Sequence, residues 1–220
     1  MIKYVLFDLD GTLLSTLETI TYHLNRALAS NGLKDISVDD TRRFIGNGAK
    51  KLVFRAVSKS GVVDESVIKA VLAEYNHAYD ADPLPCTEPY PGVTELVDKL
   101  YNDGIKLGVV TNKPDPTAKK LIEHFFADRI AFVSGGRAGI TLKPDPSESI
   151  SVLRDMGGEV SECAFVGDTS VDIHTGKNMG AAMSVGVSWG FRTREELEAA
   201  GADAIATDAE NLYLLLREKI

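Results

Sequence analysis

At 220 residues, with 44% apolar and 25% charged side chains, the chain has the make-up of an ordinary globular protein holding one large domain or two modest ones. Its formal net charge of −8 argues against a nucleic-acid or other polyanionic partner, because such binders carry a basic stripe. No apolar run is long enough to span a bilayer, and the only cysteines, Cys86 and Cys163, are too far apart in sequence to read as a disulfide framework or a zinc site.

In chain order, the apolar segment Tyr4-Val5-Leu6-Phe7 reads as a buried first strand. Met1 to Lys3 leave no room ahead of it for a signal peptide, so the expected compartment is the cytoplasm. From about residue 15 to about residue 83 no convincing strand appears. Amphipathic helical patterns, such as Leu17 to Leu28 and Val67 to Tyr79, are joined there by Gly-containing loops. After Pro83-Leu84-Pro85 and the turn Tyr90-Pro91-Gly92 the pattern changes to strand and helix in alternation. Strands are predicted at 106–111, 130–134, 164–167, 182–187 and 204–205. Helices are predicted at 93–102, 116–125, 148–156, 171–179, 194–199 and 210–219. Alternation of this kind gives an α/β fold, a Rossmann-like parallel sheet sandwiched by helices. The first strand needs partners and must join that sheet. The expected organisation is therefore an α/β core of residues 1–14 and 84–220, with an inserted α-helical domain, residues 15–83, standing over the end of the first strand.

Open parallel sheets bind ligands at the carboxyl ends of their strands. The first strand ends in Asp8-Leu9-Asp10-Gly11-Thr12, the strand 106–111 in Thr111-Asn112, and the strand 164–167 in Gly167-Asp168-Thr169 with Asp172 four residues on. A Gly-rich loop after Ser134 leads to Lys143-Pro144. Each has an ordinary explanation taken singly: an Asp-Gly turn, a helix cap, a solvated loop lysine. Gathered on one sheet edge, the carboxylates Asp8, Asp10 and Asp168 with a hydroxyl, an amide and an amine suit a divalent cation and a phosphoryl group. One of Asp8 and Asp10 can attack while the other gives and takes a proton, and two like charges at close range raise at least one pKa.

These residues resemble the phosphatase branch of the haloacid dehalogenase superfamily, whose four motifs appear here in order as Asp8-Leu9-Asp10-Gly11-Thr12, Thr111-Asn112, Lys143-Pro144 and Gly167-Asp168-Thr169-Ser170-Val171-Asp172. The inserted helices resemble that family's cap domain. Gly46-Asn47-Gly48-Ala49, Thr111-Asn112-Lys113-Pro114, Lys143-Pro144-Asp145-Pro146 and Trp189-Gly190-Phe191-Arg192 extend the likeness to its phosphoglycolate phosphatase group. Ser15-Thr16 departs from the Asp-Ser often found in relatives at the cap hinge.

The resemblance implies a magnesium-dependent phosphomonoester hydrolase acting through an aspartyl-phosphate on a small phosphate ester such as 2-phosphoglycolate. Asp8 would be the nucleophile and Asp10 the acid and base. Thr111, Asn112 and Lys143 would offset charge on the phosphoryl oxygens. Asp8, Asp168 and the backbone carbonyl of Asp10 would hold Mg2+, and Asp172 would orient Lys143 or a metal-bound water. A cis Lys143-Pro144 bond would aim the lysine inward. Asn47 and Gly48, opening the helical pattern that carries Leu52, Val53, Ala56 and Val57, are expected to meet the substrate's non-phosphate end, with Arg43, Lys50 and Lys51 adding positive charge. A pyrophosphatase and a β-phosphoglucomutase-like phosphomutase remain open on the core motifs, whereas the intact motifs argue against the alternative of another class, a non-catalytic ligand-binding regulator. The expected partner is a small molecule, with no nucleic acid and no membrane, in a monomer or homodimer.

Overall fold

The structure is a computed structural model that describes residues 1–219. Its elements run β1 (Tyr4–Phe7), β2 (Leu14–Ser15), α1 (Leu17–Ser30), α2 (Val38–Phe44), α3 (Ala49–Lys59), α4 (Glu65–Ala81), β3 (Glu88–Pro89), α5 (Val93–Asn102), β4 (Lys106–Pro114), α6 (Asp115–Phe125), β5 (Ile130–Gly136), α7 (Ser147–Asp155), β6 (Cys163–Gly167), α8 (Ser170–Met179), β7 (Met183–Val187), α9 (Arg194–Ala199), β8 (Ala204–Ala206) and α10 (Ala209–Arg217). Six strands form a parallel sheet in the order β5-β4-β1-β6-β7-β8.

β1 is buried along its whole length, which is why it reads as a continuous apolar run. Its side chains still alternate. Val5 and Phe7 enter one apolar layer with Leu96, Leu100, Leu121 and Leu212 of the helices on that face. Tyr4 and Leu6 enter the opposite layer with Val152, Leu153 and Met179. β6 divides the same way, Ala164 and Val166 against Cys163 and Phe165. Helices therefore cover both faces, and the C-terminal edge of the sheet is left to carry chemistry.

The helices α1 to α4 leave the sheet after β1 and return before α5. Their apolar stripes, among them Leu17, Ile20, Leu24 and Leu28 of α1, close on one another in a third cluster. Phe191, from the loop after β7, joins that cluster. β2 and β3 pair antiparallel, Leu14 with Pro89 and Ser15 with Glu88, where the chain leaves and re-enters the sheet.

Three features differ from the sequence-based expectation. The ribbon of β2 and β3 is too short to leave a periodic signal. Helix α2 carries no apolar stripe, its buried residues being Asp40 and Thr41, and it is held by a capping box between Ser37 and Asp40. β4 does not stop at Thr111 but runs on to Pro114, because β5 also extends, to Gly136, with a register shift between Val110 and Pro114. Thr111 and Asn112 are thus strand residues rather than a helix cap.

Candidate active site

Asp8 stands one residue past β1, its amide donating to the Val166 carbonyl at 2.9 Å and so extending the sheet pairing. The chain then turns sharply at Gly11, whose φ is +85°. A Cβ there would stand 2.7 Å from Asp168 Cγ, so only glycine lets the two loops approach this closely.

Asp8 Oδ1 accepts from the Leu9 amide at 2.7 Å and faces Lys143 Nζ at 2.9 Å. The same ammonium donates to Asp172 Oδ1 at 2.7 Å. Asp172 Oδ2 accepts from the Thr169 amide at 3.0 Å and from Thr169 Oγ1 at 2.7 Å, completing the capping box of α8. Helix capping and lysine positioning thus share one side chain. Lys143 follows an irregular loop and precedes Pro144 through a cis peptide bond. Asn112 holds its backbone. Oδ1 accepts from the Lys143 amide at 2.9 Å, while Nδ2 donates to the carbonyls of Lys143 at 3.1 Å and Gly46 at 3.2 Å. Thr111 lines the same cavity as Asp8 and Asp10. Asp168 is fully buried, with Oδ1 accepting from Thr12 Oγ1 at 3.1 Å and Oδ2 from the Phe191 amide at 2.8 Å.

The electrostatics of this group are unbalanced. Oxygens of Asp8, Asp168 and Asp172 can all lie within 4.8 Å of one another, against the single ammonium of Lys143. Burial raises the Asp8 pKa to about 6, with Lys143 pulling it down and Asp172 pushing it up. Burial and the charges of Asp172 and Asp8 push Asp168 well above the usual carboxylate range. Burial works against the Lys143 ammonium, but Asp172 and Asp8 outweigh it and hold its pKa above the ordinary value. Three formal negative charges and one positive leave a deficit that a hard divalent cation with oxygen ligands fits. Asp172 has one oxygen on the Lys143 ammonium and the other on Thr169, whereas Asp168 accepts only from the neutral Thr12 hydroxyl and Phe191 amide and Asp8 keeps its Oδ2 unengaged, so Asp8 and Asp168 are the carboxylates with capacity left for a cation.

The Asp10 side chain is not among those three. Its oxygens face Lys113 Nζ at 2.9 and 3.2 Å, and Lys113 Nζ also donates to Tyr79 Oη, on α4, at 2.6 Å. Neither Lys113 nor Tyr79 carries a role in the sequence-based reading. The signal for Lys113 is strand alternation: once β4 is allowed to run past Thr111, Lys113 falls on the face of Thr111 and Asn112 on the other.

On the helical side, Gly46 and Gly48 line the cavity together with Ile20, Ile45, Tyr75 and Tyr79. The Asn47 side chain does not, because its Oδ1 accepts from Arg55 at 2.9 Å. Of the three basic residues named for this loop, Arg43 is bound by Asp40 at 2.6 Å, and Lys50 and Lys51 are exposed. None of the three lines the cavity.

Residues 5–185 match the family described as haloacid dehalogenase-like hydrolase. The chain belongs to that family. Among relatives of this haloacid dehalogenase-type chain, the phosphoglycolate phosphatase of Rhodospirillum rubrum is 37% identical over 218 residues, covering 96% of this chain and 90% of that protein. The phosphoglycolate phosphatase 1 of Pseudomonas aeruginosa is 34% identical, covering 88% and 74%. A crystal structure from Lactobacillus delbrueckii subsp. bulgaricus superposes with a TM-score of 0.92 at 29% identity, over 97% of this chain and 98% of its own. That of a predicted phosphoglycolate phosphatase from Haemophilus somnus gives 0.90 at 27% identity, over 98% of each chain. The protein is thus a phosphatase of the haloacid dehalogenase type, in the phosphoglycolate phosphatase-like group. No helix among the described residues is long and apolar enough to cross a membrane.

Proposed function

We propose that the protein is a magnesium-dependent phosphomonoester hydrolase that works through an aspartyl-phosphate on Asp8, with 2-phosphoglycolate as its substrate. The observation that carries the chemistry is the pairing of Asp8 with Lys143 at 2.9 Å on the wall of a cavity that also holds Asp10. The substrate assignment is supported by the names of the relatives from Rhodospirillum rubrum and Pseudomonas aeruginosa.

On this reading an Asp8 oxygen attacks phosphorus as the ester P–O bond breaks, and Asp10 gives a proton to the departing alkoxide. Asp10 then takes a proton from water, which attacks the phosphorus of the aspartyl-phosphate, releases inorganic phosphate and restores the Asp8 carboxylate. Lys143 and the Thr111 hydroxyl bind the phosphoryl oxygens, and Asn112 acts one step back by fixing the Lys143 backbone. Mg2+, held by Asp8, Asp168 and the backbone carbonyl of Asp10, would neutralise charge on the phosphoryl group. Residues 15–83 act as a cap on the α/β core of residues 1–14 and 84–220, moving about the two chain crossings beside the β2 and β3 ribbon. Ile20, Ile45, Leu52 and Phe191 then keep water from the reacting group. Gly48 presents the start of α3 to the substrate, and Asn47 braces the loop through Arg55.

The test is a panel of 2-phosphoglycolate, pyrophosphate, hexose phosphates and nucleotides assayed with magnesium. Preference for 2-phosphoglycolate is expected. A much better pyrophosphate or hexose phosphate would overturn the substrate while leaving the Asp8 chemistry in place.

A further inference from the structure

We infer that Lys113, with the Tyr79 hydroxyl, is the carboxylate-recognition pair of this active site, and that it makes the enzyme select phosphate esters whose alcohol carries a carboxylate next to the ester carbon. The inference rests on the substrate reading above and names the residues that would enforce it.

The first ground is charge. The charged residues lining the cavity are Asp8, Asp10 and Lys113. Away from Lys143, which serves the phosphoryl side, a substrate's second anionic group would meet two carboxylates and neutral walls were it not for the Lys113 ammonium. An anion brought into such a pocket without a partner is strongly disfavoured. Arg43, Lys50 and Lys51 cannot supply the charge, since they lie outside the cavity.

The second ground is position. Asp10 must touch the ester oxygen to protonate it, so its neighbours lie on the alcohol side of the phosphoryl group. Lys113 Nζ stands 2.9 and 3.2 Å from the two Asp10 oxygens. In 2-phosphoglycolate the carboxylate carbon is two bonds from the ester oxygen. A group one hydrogen bond from Asp10 is therefore in reach of that carboxylate, whereas Lys143, paired with Asp8 and Asp172, sits on the phosphoryl side.

The third ground is the donor inventory. An ammonium has three N–H donors, here directed to Asp10 and to Tyr79 Oη. When the Tyr79 hydroxyl accepts from Lys113 at 2.6 Å, its own O–H remains to donate. Once Asp10 turns to the ester oxygen, an N–H of Lys113 and the O–H of Tyr79 can meet one carboxylate as a two-point contact. The Lys113 side chain is only 2% exposed, and Nζ lies 4.1 Å from the Tyr79 ring centroid, which fixes the ammonium in place. Because Tyr79 belongs to α4 and Lys113 to β4, binding the carboxylate would also tie the helical segment to the core.

The experiment compares kcat/KM for 2-phosphoglycolate and for ethyl phosphate, which has the same chain length and no carboxylate. It uses the full-length wild type, Lys113→Met and Lys113→Gln. Both substrates lose the Lys113–Asp10 contact in the variants, so the ratio of the two constants isolates the carboxylate contact. A lost hydrogen bond to a charged group predicts that this ratio falls about 10- to 100-fold in both variants, with Lys113→Arg regaining part of it. Tyr79→Phe should lower the ratio by a smaller factor through KM for 2-phosphoglycolate. A wild type that prefers 2-phosphoglycolate, with a ratio unchanged in Lys113→Gln, would overturn the inference and leave the substrate reading standing. A wild type with no such preference would overturn both.

Discussion

Lys143 is the residue on which the charge balance of the site turns, and replacing it by Met removes the ammonium while keeping much of the side chain's bulk. Its side chain is 3% exposed and stands 2.9 Å from Asp8 and 2.7 Å from Asp172. Removing one partner from such a buried pair costs about 3–5 kcal/mol, because the carboxylates are left without compensation. For a chain of this length each kcal/mol moves Tm by about 2–4 °C, so a drop of roughly 6–20 °C is expected. The loss should depend on pH with a definite sign. Asp8 is already raised from 3.8 to about 6 by burial. A carboxyl raised in the folded state binds more protons there than in the unfolded chain between those two values. Its cost to stability is therefore absent at low pH and grows as pH rises through the window. Without Lys143 the window widens upward, so the deficit of Lys143→Met should be small at pH 5 and full-sized at pH 8. Thermal melts of wild type and variant in EDTA at both pH values measure it. Lys143→Met combined with Asp172→Asn should recover part of the loss at pH 8. An equal loss at both pH values would mean that the lysine acts by packing, and the charge argument would fail.

Other expectations follow from the same geometry. Asp8→Asn should lower kcat by on the order of 10^4-fold or more while leaving Tm in EDTA unchanged or higher, since a buried carboxylate is removed; a folded variant with near-wild-type turnover would exclude Asp8 as nucleophile. Activity should vanish with EDTA and return with magnesium, and calcium should inhibit, because its larger coordination shell can take both Asp8 oxygens; full metal-free turnover would refute the cation reading. Gly11→Ala should cost both activity and stability, because the added methyl meets the Asp168 carboxylate at a positive φ; a wild-type melting curve would show that the turn relaxes without displacing Asp168.

Much of the core was legible because each of its elements carries its own signal. The unbroken run Tyr4 to Phe7 marks a strand covered on both faces, and the carboxylates after it have no place in a core. What stayed hidden was of two kinds. Helix α2 and the β2–β3 ribbon hold few apolar contacts, so no periodicity betrays them. The partners of Asp10 were hidden because strand alternation places Lys113 on the face of Thr111 only if β4 continues, and β4 continues only because Gly135 and Gly136 of β5 let the two chains lie together: a Cβ on Gly135 would stand 2.7 Å from the Lys113 carbonyl. Tyr79 reads as one more apolar position of α4, and nothing local shows that its hydroxyl crosses to the core.

The loop Trp189-Gly190-Phe191-Arg192 is recognisable in sequence as a motif, but its physical meaning appears only when its contacts are taken together. Trp189 Nε1 donates to the Thr12 carbonyl at 3.0 Å, which secures the turn after Asp8. The Phe191 amide donates to Asp168 at 2.8 Å, while the Phe191 side chain packs into the helical cluster. Arg192 reaches the carbonyls of Arg42 at 2.7 Å and Ile45 at 3.1 Å, just ahead of Gly46. Gly190 is glycine because a Cβ there would strike the Gly11 carbonyl and Asp168. Four consecutive residues thus bind the turn after Asp8, the Asp168 carboxylate and the edge of the helical insertion to one another. Displacing the insertion pulls on the same backbone that orients Asp168, so the seating of the helices and the geometry of the carboxylates are mechanically one setting. The apolar ring, the indole, the glycine and the arginine of this short loop each make one of these contacts.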